Sequence, residues 1–476
     1  MVTATRIWVT TILLCCFALG VQAQDGAPTP PDPMDEIGTP EGDLALADLL
    51  RRKGLITQDE FEDIRDRVRL RRQQDEERAL QRTLERLTHQ PPPDGWLDGD
   101  DPEVRVDHGG LTVVSSDGSA KFSLGGRMQM DANAFDEDIS PMGNGTESRR
   151  FRVRTSGNVD DSWAWKFEVD FANTRDSDVT DAWIKYGPWE QSDILVGHQK
   201  VPISQQSMTS SNWQLFQERA LPDAFIDNRN MGRRRLGATA TTWGDHVYAS
   251  AGLFGEGLNN DGPNNEDWGV AGRVVAAPWA EDDSTLAVGG AVYARDLSSN
   301  SLLRFRSRPE AHVAATRLVD TGVIGGAEDL VMANAEVTWI EGPFHAEAEV
   351  FEVQVDRNGM DNVTFDGLYA QVGYMLTGET RPYSMKGAKF GRVKPDGEGG
   401  AWELAARFSQ IDLSNADVRG GRQEDVTVGV NWWINASTAM RLNYVYAHAM
   451  ETAERLGLAS ASEHVKAVTA RFQVVF

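Results

Sequence analysis

From about Lys121 to Phe476, apolar and polar side chains take turns along the chain in runs of roughly ten. Phe122, Leu124 and Met128 alternate with Lys121, Ser123 and Arg127, and Trp163, Trp165, Phe167, Val169 and Phe171 with Ala164, Lys166, Glu168 and Asp170. Trp402, Leu404, Ala406 and Phe408 alternate with Glu403, Ala405, Arg407 and Ser409, and Val426, Val428, Val430 and Trp432 with Thr427, Gly429 and Asn431. Neighbouring side chains of a strand point to opposite faces, so the pattern predicts strands with two unlike faces. Sixteen are expected: 121–135, 148–159, 162–174, 179–188, 192–201, 233–242, 245–254, 268–277, 284–296, 329–340, 343–356, 365–377, 401–412, 423–434, 437–449 and 464–476. An even count leaves both ends of an antiparallel barrel on one side, which is why 310–319 is read as part of a long loop 297–328 and not as a seventeenth strand. The segment 378–400 is too long for a simple turn on its side.

Three features favour a closed barrel over a sandwich. Aromatic residues gather near strand ends, as at Trp432-Trp433 and Tyr444/Tyr446. Short turns (Asp160-Asp161, Trp243-Gly244-Asp245, Glu341-Gly342-Pro343) alternate with long polar loops. The last strand sets Phe472, Val474 and Phe476 on one face, resembling the signal read by the barrel assembly machinery. The expected fold is therefore all-β: a 16-stranded antiparallel transmembrane β-barrel over residues 120–476, facing outer-membrane lipid.

The N-terminal quarter has a different texture. Arg6, an apolar run Ile7–Leu19 and Val21-Gln22-Ala23 read as a signal peptide, residues 1–23. The run is too short to cross a bilayer as a helix, which needs roughly 18–20 apolar residues. A Pro/Asp/Gly-rich leader spans 24–43. Leu44, Leu46, Leu49 and Leu50 then form a helical face, and Thr57-Gln58-Asp59-Glu60 has the spacing of a capping box. Phe61, Ile64, Val68, Leu80, Leu84 and Leu87 extend a helical, possible coiled-coil segment over 44–90, although the heptad breaks after Val68; a charged, solvated helix fits the same residues. Pro91-Pro92-Pro93 ends it, and an acidic linker, 91–119, leads to the barrel.

Composition narrows the function. The chain holds 72 Asp and Glu against 47 Lys and Arg, so nucleic acid is not an expected partner. Both cysteines, Cys15 and Cys16, lie in the signal, which removes disulfides, cysteine metal sites and cysteine nucleophiles from the mature chain. Eight scattered histidines form no catalytic or metal-ligating pattern, so no enzyme, cofactor or metal is expected. Asp356–Asp361 lacks the ligand run and closing Glu of an EF-hand.

The segments Arg308–Gly322 (RPEAHVAATRLVDTG), Leu376–Pro395 (LTGETRPYSMKGAKFGRVKP), Gly400–Leu413 (GAWELAARFSQIDL) and Gly197–Ser204 (GHQKVPIS), with Arg149-Arg150, resemble signature stretches of the phosphate- and polyphosphate-selective porins of the O and P family. The resemblance implies a homotrimer of outer-membrane channels, an arginine-lined pore, and inward-folded loops forming a constriction. The constriction loop would be Pro202–Arg229, which carries Arg219 and Arg229 but no lysine, where a phosphate-selective member is expected to have lysine donors.

With apolar positions facing lipid, Lys121, Arg127, Arg150, Arg152, Arg154, Lys166, Lys185, Arg233, Arg235, Arg273, Arg295, Arg407, Arg441 and Arg471 are expected to point inward. Against them stand Asp131, Glu168, Asp170, Asp181, Glu336, Glu347, Glu349, Glu403 and Asp425. The expected lumen is mildly basic. Arg150, Arg152 and Arg154 are the sharpest group, about 7 Å apart along one strand face. Their planar forks could pass a small anionic solute from one to the next, or could pair with Glu168 and Asp170 as wall salt bridges. Arg149 and Lys200 are added by resemblance. The function expected is passive, anion-preferring diffusion. Its alternatives are a general or cation-preferring nutrient porin, favoured by the acidic total and by Glu347 and Glu349, and an envelope-tethering barrel anchored by a periplasmic segment 44–90.

Overall fold

Alternation becomes a cylinder because lipid offers no hydrogen-bond partners to the backbone, so every strand edge has to be paired. The computed structural model describes residues 40–58, 60–62, 64–68, 102–107, 109–172, 178–228, 231–258, 266–297, 302–450 and 462–476. The expected signal peptide, most of the leader, Leu80, Leu84, Leu87, Pro91–Pro93 and Arg229 lie outside them. The chain divides into two units, Met1–Asp98 and Gly99–Phe476.

In the first unit, helix α1 spans Pro40–Arg52. The capping box forms as the sequence predicts. Thr57 N donates to Glu60 Oε2 at 2.8 Å, and Glu60 N donates back to Thr57 Oγ1 at 3.3 Å. Leu46, Leu49 and Leu55 are exposed.

In the second unit, the described strands of the barrel are β1 (Lys121–Glu137), β2 (Gly145–Asn158), β3 (Trp163–Asp170), β4 (Asp178–Trp189), β5 (Ser192–Lys200), β6 (Arg234–Trp243), β7 (Val247–Phe254) and β8 (Trp268–Ala280). They continue with β9 (Ser284–Asp296), β10 (Ala327–Glu341), β11 (Phe344–Arg357), β12 (Val363–Met375), β13 (Ala401–Asn415), β14 (Val418–Trp433), β15 (Thr438–Met450) and β16 (Ser462–Val475). Each pairs antiparallel with the next, and β16 pairs with β1, closing a 16-stranded barrel. The parity argument holds at 310–319, where the chain is irregular apart from a two-residue ladder joining Arg306–Ser307 to Val319–Asp320.

The closing seam is stitched inside and out. Arg471 Nε and Nη2 each donate to the Asp131 carboxylate at 2.7 Å, directly across β16 and β1. Gly126 N donates to the carbonyl of Phe476 at 2.6 Å, and Phe476 N returns a bond of 3.0 Å. The stretch read as an acidic linker, 91–119, contains more structure than expected. Residues 103–107 and 110–114 form a hairpin whose second strand extends the sheet along β1, setting Leu111 opposite Leu124. Five-residue strands were too short to stand out beside their acidic neighbours.

Side-chain polarity inverts along several strands. In β11, His345, Glu347 and Glu349 face inward at one end and Val353 and Val355 at the other, while Glu352, Gln354 and Asp356 face outward beside the latter. Toward the long-loop end the barrel wall therefore packs an apolar core inside itself. Phe351, Val353, Phe365 and Ile411 of the wall meet Leu221 and Phe225 of loop 201–233 and Leu303 and Phe305 of loop 297–326. Apolar positions face lipid only across the middle belt.

A side chain at Gly126 would place Cβ 2.4 Å from the Arg152 carbonyl oxygen and 2.8 Å from the Phe476 ring. Gly126→Val is expected to weaken closure by about 1–3 kcal/mol. A urea titration of the folded barrel, followed by its altered gel mobility, should show an earlier midpoint; an unchanged midpoint would contradict the seam.

Candidate functional site

Two segments fold into the barrel from opposite ends. Loop 201–233 joins β5 to β6 at the long-loop end, and segment 376–400 joins β12 to β13 at the short-turn end. Both are held by inward-facing wall residues. Gln205 N donates to Glu336 at 3.1 Å, Gln205 Nε2 to Glu347 at 2.8 Å, and Gln206 N to Glu349 at 3.0 Å. Glu403 gathers Arg381 of the lower segment at 3.0 Å, Asn431 at 2.7 Å, Trp433 at 3.1 Å and the His345 ring at 2.7 Å. Removing a carboxylate from water is costly unless donors surround it, and here the inward segments are among those donors.

Between these segments and the wall formed by β1–β7 lies a cavity of about 910 Å³. Its lining carries fourteen Lys and Arg side chains against six Asp and Glu. Several of the carboxylates are already matched. Asp181 takes Arg234 at 2.8 Å and also Lys166, Asp193 takes Lys185 at 3.3 Å, and Asp223 takes Arg233 at 2.6 Å. Among the described residues Arg150, Arg154, Lys200, Arg219, Lys386 and Lys389 line the cavity with no carboxylate within ion-pair distance.

Residues 122–476 match the family described as phosphate-selective porin O and P. The chain belongs to that family. It is 30% identical over 387 residues to Porin O of Pseudomonas aeruginosa, covering 74% of this chain and 88% of that one. It is also 29% identical over 349 residues to an uncharacterized protein of Caulobacter vibrioides, covering 69% and 68%. Among solved structures, an anion-selective porin from Comamonas acidovorans superposes with a TM-score of 0.51 at 12% identity, covering 75% of this chain and all of that one, a likeness of fold. The porin is thus an outer-membrane barrel of a channel family and not of an enzyme family.

Of the residues singled out from the sequence, Arg127, Arg149, Arg150, Arg152, Arg154, Lys166, Lys200 and Arg233 line the porin's cavity. The arginines of β2 divide between the two roles weighed for them. Arg152 pairs with Asp170 at 2.6 Å and Glu168 at 3.2 Å, whereas Arg150 donates to Gln129 at 2.8 Å and makes no ion pair among the described residues. Arg149, on the opposite parity, reaches Glu218 at 2.8 Å. Lys200, at the end of β5, lines the cavity and is held by loop 201–233. Its Nζ donates to the carbonyls of Ser207, Met208 and Thr209 at 2.6–3.2 Å.

Of the basic residues and Asp170 expected to face the pore, Lys121, Asp170, Arg235, Arg273, Arg295, Arg407, Arg441 and Arg471 do not line the cavity, which corrects an assignment of the lining by parity alone. Lys121 is exposed at the start of β1. Asp170 accepts from Arg152 and from the backbone of Phe151 and Ala172, bracing β2 against β3. Arg235 is buried against the loop base, donating to the Met231 carbonyl at 3.0 Å. Arg407 pairs with Glu310 of loop 297–326 and lies 4.5 Å over the Phe216 ring. Parity says which way a side chain points but not what a folded-in loop lays upon it.

Conversely, Lys386, Lys389 and Arg392 of segment 376–400 line the cavity and were missed. Their signal was the excess length and basic run of RPYSMKGAKFGRVKP inside an acidic chain. Loop 202–229 carries no lysine, and Lys200, Lys386 and Lys389 line the cavity from β5 and from this segment.

Burial raises the Glu218 carboxyl, but the guanidiniums of Arg149, Arg150 and Arg471 outweigh it and hold the group well below the usual carboxylate range. Burial also lowers the Lys389 ammonium. A depressed carboxylate stabilises above its unfolded pKa and loses that stabilisation only as pH falls through the lower folded value. Docking of loop 201–233 through Glu218 should therefore survive mild acid. Removing one partner of a buried ion pair costs about 3–5 kcal/mol. Glu218→Gln should accordingly speed amide exchange in loop 201–233 while leaving the strands protected; unchanged protection in the loop would contradict its anchoring role.

Proposed function

We propose that this porin conducts small oxyanions passively, with phosphate and polyphosphate-like solutes as its substrate class. The observation that carries the reading is the excess of unpaired cations around one water-accessible cavity, in a chain whose total charge is −25. Guanidinium and ammonium groups take the place of the water around a permeating oxyanion, and several sites of moderate strength allow it to leave as well as enter. Arg150, Arg154, Arg219, Lys200 and Lys389 are the residues proposed to make that path. The resemblance to the O and P family points the same way. A homotrimer with each barrel a separate pore, short turns and N-terminal segment periplasmic, completes the proposal.

The cation-preferring alternative drew on Glu347 and Glu349. In the structure these accept from Gln205, Tyr369 and Gln371, and from Gln206, and neither lines the cavity. The tethering alternative is supported by the exposed Leu46 and Leu49 of α1. Deleting residues 44–90 should disturb envelope integrity and leave conductance intact if that segment tethers; an intact envelope removes this reading.

Phosphate added to a chloride-filled planar bilayer should block single-channel current in a concentration-dependent way. A charge-assisted hydrogen bond contributes about 1.5–3 kcal/mol, so replacing Arg150 or Lys389 by Gln should weaken the block roughly tenfold. Absence of block in the native channel would overturn the substrate proposal.

A further inference from the structure

Neither Arg273 nor Glu336 lines the cavity, yet both inward segments meet on them. Arg273, fully buried on β8, donates to Glu336 of β10 through Nη2 at 2.6 Å and Nε at 3.1 Å. Its remaining donors go to the lower segment: Nη1 to the Gly387 carbonyl at 3.1 Å and Nη2 to the Ala388 carbonyl at 2.7 Å. Glu336 Oε2 in turn accepts from Gln205 N, at the start of the short helix of loop 201–233. One ion pair thus grips a segment entering from each end of the barrel.

The sequence prepares this crossing. Arg273 and Glu336 lie two strands apart, with β9 between them. Arg273 stands opposite Ala291 and Glu336 opposite Gly289, so the inward positions under the guanidinium stem are small. What the pair holds is chemically pointed: Gly387 and Ala388 are flanked by Lys386 and Lys389, two of the unpaired cations of the cavity. The start of this segment has its own anchor, since Arg381 binds Glu403 and the Trp213 carbonyl. Arg273 therefore governs the tip and not the whole segment.

We infer that Arg273 and Glu336 are positioning residues that set the pore's width and its anion preference together, by clamping the Lys386–Lys389 tip and the Gln205 turn to one point of the wall. The inference rests on the proposed anion channel for its selectivity half and on geometry alone for its width half. Guanidinium supplies all these donors at fixed angles, which neither glutamine nor lysine can do.

The test uses the full-length protein in planar bilayers, comparing the native channel with Arg273→Gln, Glu336→Gln and a deletion of residues 384–389 that leaves Arg273 in place. Release of the tip should raise single-channel conductance roughly two-fold and move the reversal potential toward zero in a salt gradient. Arg273→Lys should recover only part of the native behaviour. Unchanged or reduced conductance in a folded Arg273→Gln channel overturns the inference. If that variant fails to fold, an unchanged conductance in the 384–389 deletion overturns it equally. A native channel that prefers cations would defeat the anion reading, while a conductance rise would still uphold the clamp.

Discussion

A carboxylate turned into a protein interior must be met by donors, and this requirement organises the lumen. The inner wall carries Glu336, Glu347, Glu349 and Glu403, and each is met by side-chain or backbone donors, many of them on the inward segments. The acids of that wall are thereby consumed in holding structure. The cations on the facing wall outnumber the acids beside them, and the surplus is left to the cavity. An acidic protein can in this way enclose a basic passage.

The same bonds link rigidity to permeation. Arg471 joins β16 to β1 through Asp131 and also reaches Glu218 of loop 201–233 at 2.7 Å, so barrel closure and loop docking share a side chain. Arg407 and Glu310 do the corresponding work for loop 297–326, with Ser409 and Thr427 completing the carboxylate's partners at 2.6 and 2.7 Å. Truncating one member of such a buried pair strands the other, which makes these positions more sensitive than the cavity cations themselves.

The strands were readable from sequence because lipid imposes one rule across the whole belt, apolar outward at every second residue, and few other arrangements satisfy it. Beyond that belt the rule lapses. Val353, Val355 and Phe365 point inward against loop side chains, so an assignment by polarity alone would send them outward. The arginines of β2 were legible as a group, but not which of them would find a carboxylate: Asp170 pairs with Arg152 across the register, whereas Glu168, opposite Arg154, turns to Arg127 and Arg152 instead. Lys200 depended on the carbonyls of Ser207, Met208 and Thr209 in the folded-in loop, and Arg407 on Glu310, ninety-seven residues away in a loop. Segment 376–400 announced itself by length and charge, yet its entry into the lumen is fixed by Arg273 and Glu403, which no local pattern connects to it.

The central claim is that the passage left by these pairings is electropositive. The reversal potential of the native channel in a planar bilayer separating unequal concentrations of potassium chloride tests it most directly. The account predicts a potential of the sign set by chloride permeation; a potential of the sign set by potassium would contradict it.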